Sequence, residues 1–171
     1  EKLLLLENKA VLVLGDEQSG KTALAKTLTK ELYKEGSLPL LIDCENIAST
    51  EIARITSPLI KSQYEDIDYF GASAKRVIVC DGFHKIKLNE KYQGKLIDNL
   101  LSLFDYVIIT SDVSLRFKEY EISNFDCFVK YEIMQFGHVK RSELIRKWSS
   151  IGVEEVISSD QLLSTIDKCT V

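Results

Sequence analysis

Gly15-Asp16-Glu17-Gln18-Ser19-Gly20-Lys21-Thr22 is the stretch that decides how this chain folds. Its spacing is G-x-x-x-x-G-K-T. Two glycines permit a tight backbone turn in which successive N–H groups converge on an anion, and a following helix adds the positive end of its dipole. Such a pattern arises by chance in under about one per cent of chains this long, and its flanks are the ones it requires. Ahead of it, Ala10-Val11-Leu12-Val13-Leu14 is an apolar, β-branched run suited to a buried parallel strand. Behind it, the span from Thr22 to Lys34 sets Leu24, Leu28 and Leu32 on one helical face beside Ala25, and Gly36 follows as a stop. Strand, loop and helix predict a phosphate-binding turn running from Gly15 through Ala23, with Lys21 reaching the β- and γ-phosphates and Thr22 offering its hydroxyl to Mg²⁺.

Further along, Leu38-Pro39-Leu40-Leu41-Ile42-Asp43 reads as a second strand, and Pro39 near its start favours an outer position in a sheet. From Asn46 to Phe70 the spacing of Ile47, Ile52, Ile55, Leu59 and Ile60 is patchily helical, with Ser57-Pro58 as a point where a second helix opens. Arg76-Val77-Ile78-Val79-Cys80-Asp81-Gly82 is an apolar run that ends in a carboxylate. That is the pattern by which a buried strand delivers an acid to a magnesium site beside a phosphate loop, and Asp81 is the candidate metal ligand with Thr22. Leu96, Ile97, Leu100, Leu101 and Phe104 give an amphipathic helix from Tyr92 to Phe104, followed by a strand over Tyr106–Ser111. Phe128–Ile133 alternates as an edge strand does, Leu144, Ile145 and Trp148 mark a helix from Ser142, Val153 to Ile157 is a short apolar stretch, and Ser159 or Asp160 caps a last helix.

With 171 residues, 45% of them hydrophobic, and a net charge of −4, one domain with a sizeable core is expected. The near-balanced charge gives no global electrostatic reason to bind nucleic acid. The run Leu3 to Leu6 is far too short to span a membrane. Cys44, Cys80, Cys127 and Cys169 form no C-x-x-C pair and read as small hydrophobes in a reducing, cytoplasmic setting. His84 and His138 lack partners at metal-ligand spacing, and Lys140, Arg141, Arg146 and Lys147 read as a solvated helix face. The chain starts at Glu1 and its one methionine is Met134, so a piece excised from a longer multidomain protein is expected.

Strands alternating with helices imply an α/β domain with a parallel sheet and ligands at the carboxyl ends of its strands. An extra strand between the loop and Asp81 resembles the additional-strand division of P-loop NTPases, which includes AAA+ proteins. That resemblance implies three layers, with a five-stranded parallel sheet in the order 5-1-4-3-2 between helices. More narrowly, Val77-Ile78-Val79-Cys80-Asp81-Gly82-Phe83 is similar to the Walker B strand of NACHT-type and other STAND NTPases. Val107-Ile108-Ile109-Thr110-Ser111 resembles their next strand, which usually ends Thr-Ser-Arg or Thr-Thr-Arg, and Tyr131-Glu132-Ile133 with Ser142-Glu143-Leu144-Ile145 resembles their fifth strand and first lid helix.

The resemblance implies a nucleotide switch for signalling or defence. ATP or ADP would set the conformation of attached sensor and effector domains and a homo-oligomer would form on activation. It divides the chain into an NTPase core over residues 1–150 and the start of a helical lid or linker over 151–171. It also implies a catalytic set of Lys21, Asp81 and Ser111, with Thr110 or Ser111 near the γ-phosphate or its attacking water. The departures are these. Asp112 stands where the family's sensor arginine would be, leaving Arg116 as a substitute; no Glu follows Asp81; and no proline follows Pro58. A carboxylate is the usual device for orienting water, so slow or absent hydrolysis is expected. The alternative is an AAA+-like ATPase motor or loader acting on DNA or protein. A small-molecule kinase lacks its arginine-rich lid here, and a GTPase lacks its N-K-x-D motif.

Overall fold

A computed structural model describes residues 8–64, 67–117, 123–135 and 137–149 of the chain. Within them lie β1 (Ala10–Gly15), α1 (Lys21–Lys34), β2 (Leu38–Asp43), α2 (Ile52–Gln63), β3 (Arg76–Asp81), α3 (Glu90–Leu103), β4 (Tyr106–Asp112), β5 (Val129–Glu132) and α4 (His138–Ser149). The five strands make one sheet in the order β2-β3-β4-β1-β5, and every neighbouring pair is parallel. This is the order expected from the sequence.

Apolar residues fill both faces of the central strands because both faces are covered. On one face Val77, Val79 and Ile108 pack with Ala25, Leu28 and Leu32 of α1. On the other, Leu12, Leu14, Ile78, Cys80, Val107 and Ile109 pack with Ile52 and Ile55 of α2 and with Leu96, Ile97 and Leu100 of α3. Each such side chain taken fully out of water contributes about 1.5–3 kcal/mol. The sheet therefore holds its strand ends in fixed register, and those ends carry the chemistry. Cys44 and Cys80 are buried free thiols, as expected, whereas Cys127 is exposed. Hydrogen bonding with Cys80, and then burial, push the Cys44 thiol well up, which keeps it protonated and inert.

Two local expectations shift. Ser57-Pro58 opens no second helix: α2 is a single helix with Pro58 inside it. Ile52, Ile55 and Thr56 on its inner face are buried, and the Thr56 hydroxyl donates to the Ile52 carbonyl (3.0 Å). Pro58 itself is exposed, so the hydrogen bond it cannot make is lost on the solvent side. The third helix begins at Glu90 rather than Tyr92, because the Asn89 side chain accepts from the Tyr92 N–H (3.1 Å) as an N-cap. The segment after β4 forms short 3-10 turns at Val113–Phe117 and Ser123–Cys127.

The outer edge of β2 is closed by side chains. Gln63 accepts from the Leu41 N–H (3.0 Å) and donates to the Leu41 carbonyl (2.7 Å), copying the pairing that a neighbouring strand would make. Tyr64 and Tyr69 hydroxyls donate to the Pro39 and Leu38 carbonyls, each at 2.7 Å. Burial, with a lesser contribution from Tyr33, pushes the Tyr64 phenol up to about 12, and burial also raises Tyr69, so both remain donors at neutral pH. An open strand edge is a template for association. Gln63→Ala is expected to cost about 1 kcal/mol, to lower the thermal midpoint by about 2–4 °C and to raise light scattering on heating. An unchanged midpoint and unchanged scattering would show that the amide does not guard the edge.

The chain divides into two compact units, residues 1–133 and 134–171. The second contains α4, which starts four residues before the expected Ser142, buries Ile145 and carries a Lys140–Glu143 ion pair (3.0 Å). The stretches expected at Val153–Ile157 and after Ser159 lie outside the described residues. Among those described, no helix is long and apolar enough to cross a membrane.

Candidate phosphate-binding site

The carboxyl ends of β1, β3 and β4 meet around the loop that opens α1. Gly15 closes β1 where a Cβ would collide with the Ser19 hydroxyl and stand 3.3 Å from Ile133 Cβ, so any larger residue would have to push the Ser19 side chain aside. Gln18 (φ 60°) and Gly20 (φ 92°) both adopt left-handed backbone, which for Gln18 is uncommon in a side-chain-bearing residue. Conformations of this kind turn successive N–H groups inward into an anion-binding concavity. Gly20 is also the N-cap of α1 and supplies no side-chain cap, so the first N–H groups of the helix are left for a ligand.

The Lys21 ammonium folds back across this loop and donates to the carbonyls of Gly15 (2.7 Å) and Asp16 (2.5 Å). Thr22 is exposed at the first turn of α1. Opposite, Asp81 ends β3, and one of its oxygens accepts from the Thr110 hydroxyl (2.6 Å). The same hydroxyl oxygen accepts from the Gly82 N–H (3.0 Å). Thr110 is fully buried and fixes both the carboxylate and the left-handed turn at Gly82 (φ 75°) that follows it.

Ser111, expected near the γ-phosphate, points elsewhere. The register that sets Cys80 opposite Ile109 puts Asp81 beside Thr110, on the α1 face with Val79 and Ile108. One residue on, Ser111 belongs to the opposite face with Val107 and Ile109, where it is fully buried and its hydroxyl has no partner among the described residues. Because strand side chains alternate, two adjacent hydroxyls cannot share one site. Thr110 is the hydroxyl that the fold delivers.

A cavity of about 620 Å³ lies between these groups, lined by the loop from Glu17 to Thr22, by Asp81 and Gly82, and by His84, Lys85, Asp112 and Ser114. Gly15 and Asp16 do not line it but hold Lys21 through their carbonyls, and Ala23 is exposed on α1. Asp112 pairs in register with Gly15. Its carboxylate accepts from the Ser114 N–H (2.9 Å), and hydrogen bonding with Ser114, aided by His84 and Lys21, holds it below the usual range. The Asp112 N–H donates to His84 Nδ1 (3.0 Å). Desolvation lowers the His84 pKa, Lys21 and Lys85 push it the same way, and Asp112 and Asp81 oppose them.

Among the described residues no three His, Cys, Asp or Glu side chains are arranged to hold a metal. Mg²⁺ needs no such cage when phosphate and water supply most of its oxygens. Thr22 and Asp81 suit that role: both line the cavity, and Asp81 has one oxygen held by Thr110 and one left over. Arg116, considered as a substitute sensor, instead pairs with Glu132 (2.7 Å) and does not line the cavity. His84, Lys85 and Asp112 line it without any strong signal in the sequence; the hint was their position just beyond the two apolar strands that end at Asp81 and Ser111.

No protein-family model and no curated protein sequence matches this chain. Solved structures do. AMPPCP-bound DnaA from Aquifex aeolicus is 18% identical, with a TM-score of 0.62, over 94% of this chain and 51% of that one. A structure concerned with katanin self-assembly gives 16% identity and a TM-score of 0.63, over 92% and 51%. The Aeropyrum pernix ORC1 protein in complex with DNA gives 13% and 0.59, over 87% and 45%. All are AAA+ ATPases, and the chain has the AAA+ type of P-loop NTPase fold. It spans about half the length of the structures it matches.

Proposed function

We propose that this chain is the nucleotide-binding domain of an ATP-dependent conformational switch of the STAND type, taking Mg²⁺ with ATP or ADP at the loop from Gly15 to Thr22. The observation that carries the reading is the convergence on one cavity of the left-handed loop, the Lys21 ammonium and the Asp81–Thr110 pair. Backbone N–H groups and Lys21 bind the phosphates, while Thr22 and Asp81 hold the metal. When bound, Mg²⁺ neutralises charge on the β- and γ-phosphates. Thr110, rather than Ser111, keeps the carboxylate aimed. Lys85 and His84 occupy the segment after Asp81 where a hydrolase would carry an acid, which supports a site that holds ATP longer than it turns it over.

Residues 134–171 would begin a lid or linker to attached sensor and effector domains, and the self-assembly named for katanin supports oligomerisation on activation. Buried free thiols at Cys44 and Cys80 suit a reducing cytoplasm. The likeness to DnaA and ORC1 favours a second reading, an AAA+ ATPase acting on DNA or protein. A DnaA bound to AMPPCP and single-stranded DNA is among the matches, so nucleic acid enters as a partner under that reading. Brisk turnover stimulated by DNA would select it over the switch.

The test is ATP affinity with Mg²⁺ and with EDTA, for wild type and Asp81→Asn. Wild type is expected to bind at least about tenfold tighter with Mg²⁺, a gain of about 1.4 kcal/mol, and the variant to lose most of that gain. An equal Mg²⁺ gain in both proteins would remove Asp81 from the metal site.

A further inference from the structure

We propose that His84 is a hydrogen-bond donor to the terminal phosphate, a ligand that makes the site prefer a nucleoside triphosphate over a diphosphate, and not a base that activates water. The proposal rests on the reading of the cavity as an ATP site. The direction of one hydrogen bond carries it. A backbone N–H can only donate, so His84 Nδ1, 3.0 Å from the Asp112 nitrogen, must present its lone pair. A neutral imidazole with an unprotonated Nδ1 carries its proton on Nε2. No described residue accepts from Nε2, and the ring is exposed on the cavity that Lys21 and Asp112 also line.

An N–H nitrogen cannot take a proton from water. It can donate to a phosphate oxygen, as the Lys21 ammonium, which lines the same cavity, would do. Desolvation and the two nearby ammonium groups favour the neutral ring, in keeping with this tautomer. The neighbouring positions leave His84 as the directional group of its turn: Gly82 has no side chain, Phe83 is 1% exposed and faces the core, and Lys85 is a flexible cation. The remaining carboxylates of the cavity, Glu17 and Asp112, stand on the phosphate loop and at the end of β4. The Asp112 N–H in turn ties His84 to the end of β4, the strand beside β1, and so fixes the ring at the cavity.

Equilibrium binding of ADP and of an ATP analogue with a non-hydrolysable β–γ link, both with Mg²⁺, tests this on the whole chain for wild type, His84→Ala and His84→Gln. His84→Ala is expected to weaken the triphosphate analogue about tenfold, the worth of one charge-assisted hydrogen bond, and to leave ADP within about twofold. His84→Gln places an amide N–H near the lost donor and is expected to recover most of the difference. Equal losses for both nucleotides, or no loss for either, would overturn the donor role. So would unchanged affinities with ATP turnover lost in both variants, since that pattern belongs to a base. If wild type binds neither nucleotide, the ATP reading itself fails; if it binds both and only the His84→Ala selectivity is missing, the His84 proposal alone fails.

Discussion

Lys21→Ala is expected to weaken ATP binding by about 100-fold or more, the largest loss any single change at the site should produce. Among the described residues the Lys21 ammonium bonds to the carbonyls of Gly15 and Asp16, six and five residues back. Bound phosphate would replace those neutral carbonyl acceptors with charged oxygens, adding ion-pair attraction to hydrogen bonds that the ammonium already makes charge-assisted. Alanine removes both the donor and the charge that offsets the triphosphate. Removing one partner of a well-ordered charge pair commonly costs about 2–5 kcal/mol in binding, which spans the expected loss. Gly15, Gln18 and Gly20 set the backbone of the loop and Lys21 adds two bonds to its carbonyls, so the thermal midpoint of the unliganded variant should fall by about 2–4 °C for each kcal/mol those bonds contribute. Titration of ATP with Mg²⁺ into both proteins checks this. A loss of less than about threefold, on the scale of tenfold per 1.4 kcal/mol, would place the phosphates elsewhere.

The second large effect is on stability. Phe83 is 1% exposed and meets Phe125 edge to face, with ring centroids 5.4 Å apart, while Phe125 packs against Phe128 at 5.3 Å. Phe83→Ala is expected to cost about 3–5 kcal/mol, the usual range for deleting a buried aromatic ring. Against a typical total of about 5–15 kcal/mol, that leaves the domain marginal. The ring anchors the short turn Phe83–Lys85, which carries His84 and Lys85 into the cavity, so whatever nucleotide affinity survives should also fall. Urea unfolding gives the test: the midpoint should drop with little change in slope, and Phe83→Leu should fall between. A cost below about 1 kcal/mol would show that the cluster relaxes around the cavity.

Much of this architecture could be read from the chain because the relevant signals are local. The glycine loop and its flanking strand and helix lie within residues 10–34, and the runs before Asp81 and through Ile109 are apolar on both faces, as covered parallel strands must be. Pro39 pointed to the outer position that β2 holds. The same covering hid the phase of β4. With Val107, Ile108 and Ile109 all buried, alternation gives no clue to which of Thr110 and Ser111 shares a face with Asp81. Register decides it, through Cys80 and Ile109.

Other features depend on contacts distant in sequence. The Gln63 amide on Leu41 spans 22 positions, and the Asp112 N–H on His84 spans 28. Neither leaves a periodic trace. Pro58 misled in the other direction, since a local rule against proline inside a helix gave way to the burial of Ile52, Ile55 and Thr56 on the far side.

The most direct measurement is a calorimetric titration of ATP with Mg²⁺ into the wild-type chain, with Lys21→Ala as the control. The expected result is saturable binding of one nucleotide per chain by wild type and none by the variant over the same range. No saturable binding by wild type at about 1 mM ATP, an affinity weaker than about 4 kcal/mol, or equal binding by both proteins, would contradict a nucleotide site at this loop.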